Sequence, residues 1–487
     1  MRNSRIVVCS CSLALALIGA GCRTENDVIV DYRVNIQNGN YASAIQEPEE
    51  RSAEGGGSEL LWDLLTARAA DLARDDEKAL AFYDAADKIM TYNRSTSIFS
   101  QATEEAYAMM LNDKYFPYDG GGQDMIFTCL YKGILYAQKG EESSARTEFN
   151  RSGDYQQSWL EDRGKDIAAA NERLDKESKA YTEAKSEGHS STKSEGQSKV
   201  AVSNAMKDGT LRSLIKEEFF GYDIFTSGVL DKLKPEDYEN PYALHVVGVW
   251  RWLNGDGGLN GLKEAARIRP ENKFAKKDYV DCSKKRKPKN QVWVYVEDGI
   301  CPIRESWRID LPLILIPYLG KYVKYAGLSL PRLLEGPQAY SDWHANGTLL
   351  QELANVDALV KIEYDVYMRG AIRREITRTI VDVGIQVALG VVAENVSDWK
   401  TKTALIASQY AVAAYSAIRR GADTRSWISL PKRVYYARIA RPEDGILRLS
   451  AGGGMEKSEI PVPEGNSIVF IRKPTVAAPI SYRILSR

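Results

Sequence analysis

Histidine, cysteine and paired carboxylates carry much of protein chemistry, and this sequence uses the first two sparingly. His189, His245 and His344 are its three histidines, and no two stand at a spacing that lets them share a metal ion. No serine sits in a nucleophile elbow, and no cysteine pairs with a histidine in a supporting local pattern. The glycine runs Gly120-Gly121-Gly122 and Gly452-Gly453-Gly454 lack the following lysine of a phosphate loop and read as turns. Carboxylates are plentiful, so an Asp/Glu pair brought together by folding, with tryptophan platforms beside it, would suit a glycan-acting enzyme or binder. The spacing selects no such pair. No catalytic residue, cofactor or metal is expected.

The most distinctive polar cluster is Asp423, Arg425 and Trp427, within Ala422 to Pro431. Paired charge beside an aromatic anchor is the composition of a binding hot spot. The same residues also suit a structural clasp, with Asp423 capping a turn, Arg425 bridging to a carboxylate and Trp427 filling the end of a β layer. The clasp is favoured, because a bidentate Arg–carboxylate pair fixes geometry as well as adding energy.

Positioning any such group needs a scaffold, and the chain begins with a leader. Arg2 and Arg5 precede an apolar run from Ile6 to Ile18, followed by Gly19-Ala20-Gly21 and Cys22, the pattern of a signal peptide. The small residues before Cys22 resemble a bacterial lipobox, which implies cleavage after residue 21 and lipid on Cys22. Gly19 stands where such leaders usually carry Leu, so an ordinary cleaved signal or an uncleaved anchor remains an alternative. Arg23 follows the cysteine, where an Asp would favour retention in the inner membrane; an outer-membrane anchor facing the periplasm is therefore expected.

The chain has 487 residues, enough for two or three domains. Its 65 Lys and Arg against 66 Asp and Glu give no electrostatic case for nucleic acid. Beyond the leader and Cys22, the cysteines are Cys129, Cys282 and Cys301. One internal disulfide is possible; a Cys282–Cys301 bridge would bracket a domain junction, while three unpaired, partly buried thiols are the favoured reading.

A repeat emerges in the first half. Ala79, Tyr83 and Ala86 share one helical face, and Gly133, Tyr136, Gly140, Ala145 and Phe149 return to the same small-then-aromatic spacing. Ala44, Ala79 and Ala145 are separated by close to one and two units of about 34 residues, the tetratricopeptide period. Two helices are expected from Leu60 to Met90 with a break near Asp75-Asp76, another around Ala102 to Leu111, and a last pair from Tyr242 to Ile268 closed by Pro270. Such units stack into a curved solenoid whose concave side holds a partner. Tyr83, Tyr136, Phe149 and Trp250 are the residues expected to shape that binding face, with interhelix packing as the alternative, which is the stronger one for Tyr83 and Phe149. Residues near 185–200 lack core-forming side chains and read as a solvated excursion.

The basic run 284–290 marks a linker. Beyond it Val292 to Val296 is a strand, Glu297-Asp298-Gly299 its turn and Ile303 to Ile309 its hairpin partner. The apolar run 309–328, with Tyr318, Tyr322, Tyr325 and Leu328, reads as core or as an exposed patch. Asp357 to Met368 alternates as a strand would. Helices 371–394 and 402–419 follow; Asp382, Gln386, Ser408, Gln409 and Ser416 argue against membrane spans, so a buried hairpin is expected. Arg433 to Ala440, Ile446 to Ser450, Ser467 to Arg472 and Ser481 to Leu485 read as strands. The fold class is α+β: a tetratricopeptide-like α-solenoid over residues 22–283, then a β-sandwich-like domain over residues 291–487 with a helical insertion at 371–419.

The elements Val294 to Gly299, Pro302 to Glu305, Arg308 to Pro312, Leu330-Pro331, Ala422 to Trp427 and Leu430-Pro431 resemble a family of uncharacterised bacterial lipoproteins. In that family a tetratricopeptide-like half precedes a β-rich half. The resemblance implies an envelope lipoprotein that binds other envelope proteins, with the machinery of cell-wall synthesis as the partner. It carries over no catalytic residue.

Overall fold

The computed structural model describes residues 24–110, 116–159, 161, 239–310, 319–419 and 421–487. The leader with Cys22, the excursion near 185–200 with His189, and residues 311–318 lie outside them. The fold is α+β, with helices through the N-terminal half and sheets in the C-terminal half.

Helix α1 (Glu25–Asn38) starts on a capping box between Thr24 and Asp27 and stops at Gly39, whose φ is 75°. Then come α2 (Tyr41–Glu54) and α3 (Glu59–Ala73). Almost every residue of α3 is buried, from Leu60 to Leu72, as in a helix enclosed on all sides. A left-handed Arg74 ends α3, so the break expected near Asp75-Asp76 is present. One helix, α4 (Asp76–Met110), then runs for 35 residues. The separate helix expected around Ala102 to Leu111 is a continuation of α4, since no Gly or Pro interrupts that stretch to stop it.

Helices α5 (Gly122–Gln138) and α6 (142–159) cross at Gly133, where an added Cβ would lie 2.4 Å from the Phe149 ring. The spaced glycine is thus the aromatic's seat. The C-terminal pair is α7 (Pro241–Leu253) and α8 (Leu259–Ile268), followed by α9 (Lys273–Ser283). Asn240 and Asn272 cap α7 and α9 by accepting N–H groups from the first turn of each.

The sheet elements in order are β1 (Gln291–Asp298), β2 (Ile303–Asp310), a helical turn α10 (Leu319–Tyr322), β3 (Gly327–Leu334), β4 (His344–Ala345), β5 (Thr348–Leu349) and β6 (Gln351–Asn355). Helices α11 (Val356–Asn395) and α12 (Trp399–Arg419) intervene before β7 (Arg433–Ala440), β8 (Ile446–Ala451), β9 (Glu456–Pro461), β10 (Ser467–Lys473) and β11 (Ser481–Ser486). The largest sheet has the order β11-β10-β1-β7-β6, a second pairs β2 with β3, and a third runs β5-β4-β8-β9.

Two expectations are corrected here. Strand β2 does not return on β1, because both edges of β1 are occupied: β10 lies parallel on one side and β7 antiparallel on the other. Its partner is β3. Asp357 to Met368 is not a strand but the start of α11, nucleated by Asn355, whose Oδ1 accepts the Ala358 N–H at 3.1 Å. Buried Tyr364, Met368 and Ile372, each four residues from the next, and Leu359 with Ile362, three apart, supply the helical spacing that outweighs the local alternation.

One hydrophobic cluster extends from Val28 to Leu485, so helices and sheets share a core. A second, smaller cluster joins Tyr322, Val323, Leu328 and Leu330 to α11. Tyr322, Val323 and Leu328 of the apolar run are therefore core. Cys129, Cys282 and Cys301 are unpaired and buried.

Candidate binding surface

The hairpin α11–α12 connects two adjacent strands, β6 and β7, paired from Gln351 with Tyr436 to Asn355 with Arg433. The half of it nearer the tip is held by amide side chains, not by apolar contact alone. Gln386 accepts the Lys324 N–H at 2.8 Å and donates to the Tyr325 carbonyl at 2.8 Å. Gln409 on α12 donates to the Gln386 carbonyl at 2.7 Å and to the Tyr322 carbonyl at 3.2 Å. Gly390 permits this approach, since a Cβ there would lie 2.3 Å from Gln409 Nε2. At the far end Lys321 pairs with Glu394 at 2.5 Å. That ion pair and the Tyr322 hydroxyl hold the Glu394 carboxyl below its usual range.

The hairpin was expected to be buried, and α12 is not. From Thr403 to Ile418 it carries no charged residue, yet only Gln409, Ala413 and Ser416 are buried, all on the side toward α11. Tyr410 is 58% exposed and Ile418 82% exposed, with Ile406 and Tyr415 also open. Val381, Ile385 and Val392 continue the apolar surface on α11, and Trp399 stands exposed at the tip. Of the polar side chains read from sequence as a bar to membrane spans, Asp382, Gln386, Gln409 and Ser416 are buried and Ser408 is exposed, and it is Gln386 and Gln409 that tie the hairpin down. Consequently the outer side is left apolar. Among the described residues no helix is long and apolar enough to cross a membrane.

Along the outer side, Ala404, Ala407, Ala411, Ala414 and Ile418 are all exposed and recur at three- and four-residue steps. That is the spacing of a coiled-coil seam, and alanine lets a second helix backbone come close.

The four residues expected to shape a repeat groove do not form one. Tyr83, Phe149 and Trp250 are fully buried. Phe149 meets Trp250 edge-on at 5.0 Å between ring centres, and Tyr83 packs on Tyr131 at 6.1 Å. They are interhelix core, as the spacing of helix-packing residues also allows. Tyr136 is half-buried and packs at the edge of the same core.

Asp423, Arg425 and Trp427 do come together, as a clasp. Arg425 donates from Nε and Nη2 to the two Asp423 oxygens at 2.8 and 2.9 Å, and its backbone N–H reaches Asp423 Oδ1 at 3.1 Å. Its Nη1 donates to the Gly57 carbonyl at 3.2 Å, joining the end of the hairpin to the loop before α3. Burial works against the guanidinium, but Asp423 holds its pKa above the ordinary arginine value. Trp427 is buried against Tyr83 and Tyr131. Trp293 and Trp343 are likewise buried, so these tryptophans offer no open glycan platform. Among the described residues no group of His, Cys, Asp or Glu is arranged to hold a metal ion.

His245 is enclosed in the core: Nδ1 lies 2.7 Å from the Tyr295 hydroxyl and Nε2 3.2 Å from Asp278 Oδ2. Asp278 also receives Arg438 at 2.6 Å, Trp293 Nε1 at 3.3 Å and the Tyr436 hydroxyl. This polar knot links α7 and α9 to β1 and β7; fully buried, it reads as structural. Sequence spacing carried no signal for it, because its members come from four elements.

No protein-family model, curated protein or solved structure matches the chain.

Proposed function

We propose that this protein is an envelope lipoprotein, anchored at the outer membrane through Cys22 and facing the periplasm, that acts as a protein-binding scaffold. The single observation that carries the binding reading is the charge-free, exposed outer side of α12. A helix apolar on all sides is ordinarily covered in a working assembly. The alanine and isoleucine seam suits one occupant above others, an α-helix of another envelope protein. The leader and the resemblance to bacterial lipoproteins support the address and point to the cell-wall synthesis machinery as the source of that helix. The Gly133–Phe149 seat and the buried Ala44, Ala79 and Ala145 support a tetratricopeptide-like solenoid for the helical half. Its inner faces are then spent on the shared core, and the partner is taken by the hairpin. The C-terminal sheets, packed in that core, are read as sandwich-like.

The test places a photo-crosslinking residue at Ala411 in living cells and, as a control, at Glu459 on β9. Capture mapped by mass spectrometry to a helical segment of one envelope protein, lost in Ala407→Glu and in Cys22→Ser, is the expected result. Equal products from both positions, or capture indifferent to Ala407→Glu in a folded protein, would refute the hairpin as the docking face.

A further inference from the structure

The basic run read as a linker is a shaped part of the fold. Helix α9 closes on itself: the Arg286 N–H donates to the Asp281 carbonyl at 3.0 Å and the Lys285 N–H to the Cys282 carbonyl at 2.9 Å. That closure puts residue 285 in the left-handed region, where glycine is the usual occupant. Lys285 holds the position instead, with φ 53°. The loop is pinned on both sides, by Trp252 Nε1 donating to the Arg286 carbonyl at 3.1 Å and Asn466 Nδ2 donating to the Pro288 carbonyl at 2.9 Å.

Charge is sorted across α9. Its two acids turn inward: Asp278 is buried and receives Arg438 Nη1 at 2.6 Å, and Asp281 receives Arg438 and, at 2.8 Å, Arg286 Nη1. Outward stand Lys273, Lys276 and Lys277, continued by the four lysines of the loop, seven in all and every one exposed. Among the described residues none of the seven takes part in an ion pair. Glu271, at the head of α9, is paired with Arg269 at 3.6 Å. Glu443 and Glu464, each two residues from a contact with Asn290 or Gln291, are the acids of the rim. In a chain with a formal net charge of -1, a face of one sign concentrates the field.

This face lies away from the start of α1. The loop leads into Gln291 at one end of β1, whereas the chain before β7 runs past Asp298 at the other, with the Lys432 N–H on the Asp298 carbonyl and the Cys301 N–H on the Leu430 carbonyl. That second end carries the clasp and, through it, the start of α1: Ser58 Oγ donates to Glu25 Oε1 at 2.6 Å and accepts from Arg425 Nη1 at 3.3 Å. The 8 residues of β1 set the two ends roughly 23 Å apart. Among the described residues Val280 is the one large apolar side chain of α9 that is exposed, whereas a surface that settles on a bilayer adds aromatic or leucine anchors.

We propose that this lysine face binds the carboxylate-bearing glycan–peptide mesh of the cell wall. The choice of polymer rests on the envelope address proposed above, and the anchor at the opposite end turns the face away from the anchoring membrane. Lysines suit this ligand, because separate ammonium groups on flexible stems meet scattered carboxylates without a fixed geometry to match. At 285 a charge is kept despite the backbone conformation it has to adopt.

The experiment sediments the chain from residue 22 onward, carrying Cys22→Ser so that no lipid contributes, with protein-free cell-wall sacculi. Retention is expected at about 0.15 M salt, and its loss at about 1 M, where the screening length falls to about 3 Å. Sacculi whose carboxyls have been converted to amides should retain nothing. The combined Lys284→Gln, Lys285→Gln and Lys287→Gln variant should bind about tenfold more weakly. Lys285→Gly separates charge from structure: Tm holds or rises, because glycine fits the left-handed turn, while retention falls. Ala407→Glu on the hairpin leaves retention unchanged, so failure of the docking reading and failure of the cell-wall reading give different results. No retention, retention indifferent to the lysine changes or to amidation, or tighter retention on phosphatidylglycerol vesicles overturns the proposal.

Discussion

Arg68 on α3 donates to Glu297 on β1 across 229 residues of chain, with both side chains buried. The contact fastens the helical layer to the central strand of the largest sheet. Glu297→Gln leaves the geometry but removes the charge that faces Arg68. Breaking one side of such a pair costs about 3–5 kcal/mol. Chemical denaturation should show that loss as a lower midpoint with unchanged slope.

At Gly133 the Phe149 ring occupies the place of a side chain, with an added Cβ only 2.4 Å from the ring. Gly133→Ala forces α5 and α6 apart, and overpacking of this kind costs about 1–3 kcal/mol. The double change with Phe149→Leu should recover part of the loss, which a two-by-two comparison of denaturation midpoints would reveal.

The clasp predicts a difference between two basic residues. Arg425→Lys keeps the charge but loses the paired contacts to Asp423 and the bond to the Gly57 carbonyl. A loss of about 2 kcal/mol is expected, because lysine cannot reproduce a bidentate fork. Calorimetry checks it.

Burial pushes the carboxyls of Asp63 and Asp298 up to about 6, despite the hydroxyl of Ser52 in the first case and the N–H groups of Tyr340, Trp343 and Ala339 in the second. A carboxyl whose folded pKa exceeds its unfolded value of about 3.9 binds its proton more tightly when folded. Its stabilising contribution is complete below pH 4 and disappears as pH rises through 6. Tm should therefore fall between pH 5 and pH 7. Asp63→Asn, which keeps an acceptor for Ser52, should flatten the slope by roughly half.

Much of the secondary structure is legible from local pattern. Turn residues bracket β7, β8, β10 and β11, Arg74-Asp75 separates α3 from α4, and Asn254-Gly255-Asp256 separates α7 from α8. Pairing between distant strands is not legible. Val292 aligns with Ser467 in parallel, and no periodicity within either strand names the other. The α11 start was misleading because Val360, Ile362, Tyr364 and Met368 alternate, while the cap on Asn355 decides the matter through one hydrogen bond. The docking side was hidden for a different reason. A charge-free helix reads as buried, and only the fold shows that Gln386 and Gln409 use up its inner side. Aromatic spacing at Tyr83 and Phe149 suited a groove and, as its stronger alternative, helix packing; both side chains are buried, and packing is what the fold shows.

Asp71 on α3 faces two guanidiniums, Arg68 one turn earlier on the same helix and Arg483 on β11. The acid and Arg68 are thus a pair within the helix itself, and Arg483 turns that local pair into a joint between layers. Because β11 also covers the edge of β10, one strand does two tasks at once: it shields the sheet from a stray neighbour and hinges it to the helix beneath.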